Sequence, residues 1–139
     1  MRIVLDTNVL VSALITKGTP PDLLYQAWDA DTFQLVTSRE QLDELRRVMA
    51  YKKLQPNIRP DEAEALLETI DAAAVVVGGI PNIDLSPDPD DNVILATAIA
   101  GKADLLVSGD KSGLLALEAV HGIPIVTPKD ALERIQGTG

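Results

Sequence analysis

Four carboxylates stand where a carboxylate can do chemistry: Asp6, Glu44, Asp91 and Asp110. Asp6 directly follows the apolar run Ile3-Val4-Leu5, and Asp110 closely follows Leu105-Leu106-Val107. Apolar runs without polar alternation read as strands buried on both faces, as in a parallel sheet. Open α/β sheets bind ligands beyond the carboxyl ends of their strands. Asp91 opens the apolar helix that leads into the Leu105–Val107 strand, and Glu44 lies in the first half of the helix after the second strand. All four positions therefore fall toward one rim of a parallel sheet. Carboxylates gathered there repel one another unless a cation sits between them. Hard oxygen ligands favour Mg²⁺ or Mn²⁺ over zinc. Such an ion typically works on phosphates, where its bound water is a stronger nucleophile at neutral pH.

Each acid also has a plainer reading. Asp6 suits an N-cap for the apolar segment Val9–Ile15. Glu44 sits on the flank of its helix stripe, within reach of Arg46 and Arg47, and a solvated ion pair is the common fate of helix glutamates. Asp88, Asp90 and Asp91 all precede one helix, and any of them can complement its dipole. With Pro89 at the first helical position, Asp88 becomes the cap and Asp90 and Asp91 fall in the first turn. Asp91 shares a face with Ile94 and Leu95, while Asp90 shares one with Val93 and Ile94, so spacing favours Asp91 only modestly.

The elements that must position these groups alternate along the chain. A short helix is expected from Val9 to about Ile15, broken by Lys17-Gly18. Thr19 then caps a helix begun by Pro20, with Leu23, Leu24, Ala27 and Trp28 on one face. Phe33–Val36 reads as the second strand. Ser38 and Gln41 fit a capping box for a helix with Leu42, Leu45, Val48 and Met49 on one stripe. Pro60 opens the next helix, and Ala74–Val77 is the third strand, ended by Gly78-Gly79. Residues 80–90 are proline-rich loop. The segment 91–100 is apolar nearly all round, as in a helix buried between layers, and Gly101 caps it. Leu105–Val107 is the fourth strand. A short helix carrying Leu114, Leu115, Leu117 and Val120 should end at His121-Gly122, which leaves His121 a surface residue. Ile123–Val126 is the fifth strand, and Pro124 argues for a sheet edge. Thr127, Pro128 and Asp130 open a last helix to about Ile135, and residues 137–139 are expected to fray. Strand–helix alternation predicts a mostly parallel five-stranded sheet with right-handed crossovers and helices on both faces, in a single domain over residues 1–139.

Composition narrows the chemistry. The 139 residues contain no cysteine and one histidine, which excludes a disulfide framework and a thiolate or histidine-rich zinc site. No stretch approaches a membrane span or a secretory leader, so a cytoplasmic location is the default expectation. The net charge of −9 has the wrong sign for a non-specific nucleic-acid binder. No Gly-x-Gly-x-x-Gly follows the first strand, no Gly-x-x-x-x-Gly-Lys loop occurs, and no Gly-x-Ser-x-Gly elbow is present. Asp6-Thr7-Asn8 lacks the second aspartate of an aspartyl-phosphate phosphatase.

Four stretches together resemble the PIN domain family: Val4-Leu-Asp-Thr-Asn8, Gln41-Leu-Asp-Glu-Leu-Arg-Arg-Val48, Asp88-Pro-Asp-Asp-Asn-Val-Ile-Leu-Ala-Thr-Ala98 and Leu106-Val-Ser-Gly-Asp110. Each is weak alone, but the four keep the family's order and spacing over essentially the whole chain. The chain is most similar to the branch of toxin components from bacterial and archaeal toxin–antitoxin pairs, although other family members serve in RNA processing. The resemblance implies a three-layer α/β/α sandwich and a Mg²⁺- or Mn²⁺-dependent endoribonuclease. It implies Asp6, Glu44, Asp91 and Asp110 as the acidic metal cluster, with Asn8 and Ser108 as polar support and Asp90 beside them. An RNA substrate, a homodimer and an antitoxin protein partner follow from the same resemblance, with no membrane. None of the four acids is replaced. A PIN-like binding module with little or no nuclease activity is the alternative, and the acidic surface is what favours it.

An acidic ribonuclease needs some positive surface to hold phosphates. Arg46, Arg47, Lys52 and Lys53 form the main basic cluster, on the Glu44 helix and its exit, and are the candidate RNA-binding residues. They equally suit a helix end, where cations complement the dipole. Lys17, Arg39 and Lys111 are the other candidates.

Overall fold

A computed structural model describes residues 1–137, so the expected fraying at Thr138 and Gly139 lies outside the described residues. Gly137 closes the last helix. The sheet is built from β1 (Arg2–Leu5), β2 (Gln34–Ser38), β3 (Val75–Val77), β4 (Leu105–Val107), β5 (Ala119–Val120) and β6 (Ile123–Val126). Its order is β3-β2-β1-β4-β6-β5, parallel except for the β5–β6 pair. The helices are α1 (Thr7–Ile15), α2 (Pro20–Asp29), α3 (Arg39–Met49), α4 (Pro60–Ala73), α5 (Pro89–Ala100) and α6 (Pro128–Gly137).

Alternate strand residues feed two apolar layers. Ile3, Leu5, Leu35, Leu105 and Val107 pack with α1, α2, α3, α4 and α6 on one face. Val4, Val36, Leu106 and Ile125 pack with α5, Leu114 and Val120 on the other. Crossover handedness explains this uneven split. The chain steps outward through β1, β2 and β3, then returns past β1 to β4. Right-handed connections running in opposite directions along a sheet put their helices on opposite faces. So α5 covers its face nearly alone, and from Asp90 to Ala100 every residue is at least partly buried.

The expected helix through Val120 is replaced by a 3₁₀ turn (Leu114–Leu117) and a sixth strand. His121 and Gly122 form the two-residue connection of a hairpin, with φ of 47° and 79°. Two positive φ values in such a loop are what the twist of adjacent strands selects. Pro124 consequently lies one strand in from the edge, which corrects the edge expectation. The ladder to β4 starts one residue later, at Ile125, and on the β5 side Ile125 N–H donates to Glu118 O at 2.9 Å. The missing proline N–H thus falls at the ladder's beginning.

Gly101 ends α5 with φ −84°, not in the left-handed conformation of a glycine cap. Its need is close approach: a Cβ there would stand 2.4 Å from Val36 Cγ1. Lys102 takes the positive φ, at 51°. Thr19 caps α2 with its backbone only, and the buried Asp22 carboxylate turns back to accept from Gly18 N–H at 2.8 Å.

Candidate active site

The reversal between β1 and β4 makes a topological switch point, where neighbouring connections leave in opposite directions and open a crevice. β1 and β4 pair as far as Leu5 and Val107. The next residues, Asp6 and Ser108, therefore face the crevice side by side.

Asp6 is 6% exposed. It occupies the N-cap position of α1, but its side chain makes no capping bond. Its backbone carbonyl receives Val9 N–H at 2.9 Å, and its own N–H donates to Val107 O at 2.8 Å. The backbone starts the helix without a side-chain cap, which separates the two readings of this residue. Ser108 Oγ donates to Asp6 Oδ2 at 2.9 Å and accepts from Asp110 N–H at 3.2 Å. One buried hydroxyl thus ties the Asp6 carboxylate to the Asp110 backbone. Burial pushes the Asp6 carboxyl up to about 6; the Ser108 bond opposes this, and Asp91 and Asp110 reinforce it.

Asp110 Oδ1 is saturated by Ser112 N–H, Ser112 Oγ and Gly113 N–H, all within 3.2 Å. Its second oxygen is turned toward Asp91. A Cβ on Gly113 would lie 2.3 Å from Asp110 Oδ2 and 3.2 Å from Asp91 Oδ2, so both carboxylates close on one point. Asp91 sits in the first turn of α5, where Ser86 Oγ donates to its Oδ2 at 3.3 Å. Its carboxyl is raised by burial first and then by Asp88. Asp88 is the cap, accepting from Asp90 N–H at 2.9 Å. Asp90 leaves the cluster and pairs with Arg47, whose Nη2 lies 3.1 Å from both of its oxygens.

Glu44 approaches from α3, half-buried rather than solvated. Thr7 Oγ1 donates to its Oε1 at 2.6 Å. Burial carries its carboxyl up to about 7; the Thr7 bond opposes that, and Asp90 and then Asp6 add to it. Asp6, Glu44, Asp91 and Asp110 are thus brought to one rim. Asn8 is exposed, and with Ser12, Gly109, Asp110 and Pro128 it lines a groove of about 270 Å³ beside them.

The basic cluster divides. Arg47 stands at the mouth of the acids. Arg46 points the other way, to Glu64 on α4 at 3.0 Å. Lys52 and Lys53 lie exposed in a 3₁₀ turn. Lys17 pairs with Asp22 and Arg39 with Asp71, whereas Lys111 is exposed immediately after Asp110.

Three positioning groups were not singled out from the sequence for this role: Thr7, Ser86 and Gln41. Gln41 was expected to close a capping box. Ser38 Oγ does accept Gln41 N–H at 3.1 Å, but the Gln41 amide goes elsewhere. Its Nε2 donates to Leu5 O at 2.6 Å, and its Oε1 accepts from Thr37 Oγ1 at 2.8 Å. The β1–β2 register runs through Arg2–Gln34 and Ile3–Leu35. Beyond it the strand ends splay, and the buried Gln41 amide spans the gap. Ser38 and Thr97 hydroxyls bond at 2.8 Å, linking the start of α3 to α5. No spacing rule signals a side chain bridging two strand ends.

Among the described residues, no three His, Cys, Asp or Glu side chains form a ready-made metal cage. The donor set still suits a hard cation in kind, because it is all oxygen. Asp6, Asp91 and Asp110 form no ion pair with Lys or Arg among the described residues. Mg²⁺ keeps several waters and needs only one or two direct carboxylates, so an open arrangement is compatible with it.

Relatives support the same framework. An uncharacterised protein of Methanocaldococcus jannaschii, MJ1680, is 25% identical over 98% of this chain and 92% of its own length. The fold is similar to that of VapBC2 from Rickettsia felis, in a complex with a DNA fragment from its promoter. That match has TM-score 0.59 and 17% identity over 91% of this chain and 98% of the other. It is also similar to FitAcB from Neisseria gonorrhoeae, with TM-score 0.54 and 16% identity over 91% and 98% of the two chains. At such identities these structures speak for the fold alone. The PIN domain family model matches residues 2–112, which span every acid of the site, and the chain belongs to the PIN domain family.

Proposed function

We propose that the protein is a divalent-metal-dependent endoribonuclease and the toxin of a toxin–antitoxin pair. The observation that carries the nuclease reading is the buried, cation-free Asp6, facing Asp91 and Asp110 at the switch point of the sheet. Family membership points to the same chemistry. Burying a carboxylate among others is unfavourable unless the site serves a cation.

Asp6, Asp91, Asp110 and Glu44 would hold Mg²⁺ or Mn²⁺, in part through water. When bound, such an ion activates water and stabilises charge developing on phosphate oxygens. Ser108 fixes the Asp6 carboxylate and Thr7 fixes Glu44. Arg47 at the mouth is the cation best placed to meet a phosphate, and Asn8 lines the adjoining groove. The antitoxin partner is supported by the similar structures, which were solved as VapBC2 and FitAcB complexes.

The test is incubation of the purified protein with structured and unstructured RNA in Mn²⁺, Mg²⁺ or EDTA. Metal-dependent cleavage, lost in Asp6→Asn, is the expected result. A second reading, a PIN-domain binding module without nuclease activity, is favoured by the lack of a ready-made three-acid cage. Absence of cleavage under every metal condition would select it.

A further inference from the structure

The peptide group between Leu5 and Asp6 is held at both ends. Its N–H donates to Val107 O at 2.8 Å, backbone to backbone. Its C=O points the opposite way, as a trans peptide requires, and accepts from Gln41 Nε2 at 2.6 Å. The sheet secures one end, and a single side chain from α3 secures the other. Three residues further along α3, Glu44 Oε1 accepts from Thr7 Oγ1 at 2.6 Å. Positions three apart lie on one face of a helix. That face of α3 therefore meets the chain at residues 5 and 7, on either side of Asp6.

The Gln41 amide has one orientation available. Leu5 O can only accept, so the amide nitrogen faces it, and Thr37 Oγ1 donates to Oε1 at 2.8 Å. The Gln41 backbone N–H donates to Ser38 Oγ at 3.1 Å, which fixes the start of the helix from which the side chain extends. Gln41 is 1% exposed, whereas the other buried positions of α3, Leu42, Leu45 and Met49, are apolar. A buried, fully paired amide adds little net stability but holds its partners in one geometry. Here those partners are the peptide that carries Asp6 and the strand end that leads into the Glu44 helix.

From this arrangement we propose that Gln41 is a positioning residue for the acid site. Together with the Thr7–Glu44 bond, it clamps the Asp6 segment to α3 and sets the separation of the Asp6 and Glu44 carboxylates. The clamp rests on the metal-dependent nuclease reading and adds a residue that serves this chemistry through its neighbours.

Amide hydrogen exchange in EDTA reads the clamp without any reaction. In Gln41→Leu the Asp6 N–H should exchange about fivefold faster relative to the β4 amides, the weight of one lost hydrogen bond. Initial cleavage rates in Mn²⁺ read kcat and KM. Displacing an acid should lower kcat about tenfold or more with KM unchanged. Ile70→Ala, a cavity at a fully buried position of α4, should lose at least as much stability yet keep the wild-type exchange ratio and kcat. Thr37 supplies a second pair of variants should Gln41→Leu fail to fold. Thr37→Ser keeps the hydroxyl on Gln41 and should retain the wild-type kcat, while Thr37→Val keeps the shape without the hydroxyl and should fall below it. Valine matching or exceeding serine would mean that packing alone matters, and overturns the clamp. A wild-type exchange ratio or a wild-type kcat in Gln41→Leu overturns it as well. If wild type and Gln41→Leu cut RNA equally fast, the nuclease reading stands and the clamp falls. If wild type cuts nothing, the nuclease reading falls, while a raised exchange ratio keeps the clamp and an unchanged one removes it.

Discussion

Asp88, Asp90 and Asp91 show how one short acidic run divides into three tasks. Asp88 caps α5, Asp90 turns out to Arg47, and Asp91 turns in toward Asp110. Asp91→Asn should therefore abolish metal-dependent cleavage while circular dichroism shows the fold intact. Asp88→Asn should change little, since asparagine caps about as well as aspartate. Asp90→Asn should fall between them, releasing Arg47. Full activity in Asp91→Asn would show that the working acid is another. Asp6 offers a pH test. Its folded carboxyl titrates near 6, above the ordinary 3.8, so the folded state binds the proton more tightly than the unfolded state does. For such a group stability is gained as pH falls through the folded value and is lost as pH rises through it. Glu44, near 7, acts in the same direction. In EDTA, wild-type stability should rise from about pH 8 to about pH 5, and Asp6→Asn should flatten part of that slope and be the more stable protein at pH 8. Parallel denaturant midpoints across that range would show that Asp6 does not carry the cost of burial.

At the level of elements, the strands and helices that carry the acids were readable because their signals are local. Leu105–Val107 is an unbroken apolar run, and Asp88-Pro89 is a cap followed by a first-turn proline. What was not readable depends on partners distant in sequence. Residues 114–120 have helical spacing of leucines, yet they form a 3₁₀ turn and a strand because β6 offers a pairing edge. Gln41 has the spacing of a capping box, but its amide is drawn into the gap between β1 and β2. Gln41→Leu should leave Leu5 O and Thr37 without that partner and cost about 1–3 kcal/mol in chemical denaturation. A cost near zero would mean that the strand ends close without it. Gly113 is the other element-scale constraint. A methyl group there would displace the Asp110 carboxylate, whose Oδ2 stands 2.3 Å from its position, and the backbone, at φ −101° and ψ −113°, lies outside the regions open to alanine. Gly113→Ala should therefore depress both metal-dependent cleavage and thermal stability. Equal activity in the two proteins would indicate that Asp110 can move freely and is not held in a working geometry.

At the scale of the whole molecule, two facts pull against each other: a net charge of −9 and a sheet reversal that concentrates acids at one rim. Any added cation relieves general repulsion by screening, with Na⁺ and Mn²⁺ alike attracted to an acidic surface. A site does something that screening does not, because it takes up an ion only in the folded state. Binding of that kind stabilises by about 2.7 kcal/mol at a hundredfold excess over Kd. For a chain of this length that is a rise in Tm of roughly 10 °C. The comparison must hold ionic strength fixed, so that screening contributes equally to both arms. Mn²⁺ should then raise Tm well beyond NaCl in the wild type. In Asp6→Asn and Asp91→Asn the Mn²⁺ increment should shrink to the NaCl value, although both variants should already melt higher than wild type in EDTA, having lost a repelling charge. Asp71→Asn, which removes a carboxylate engaged by Arg39 away from the rim, should keep the full Mn²⁺ increment. If Mn²⁺ and NaCl shift all four proteins equally, the cation acts on the net charge alone, and the converging acids hold no ion.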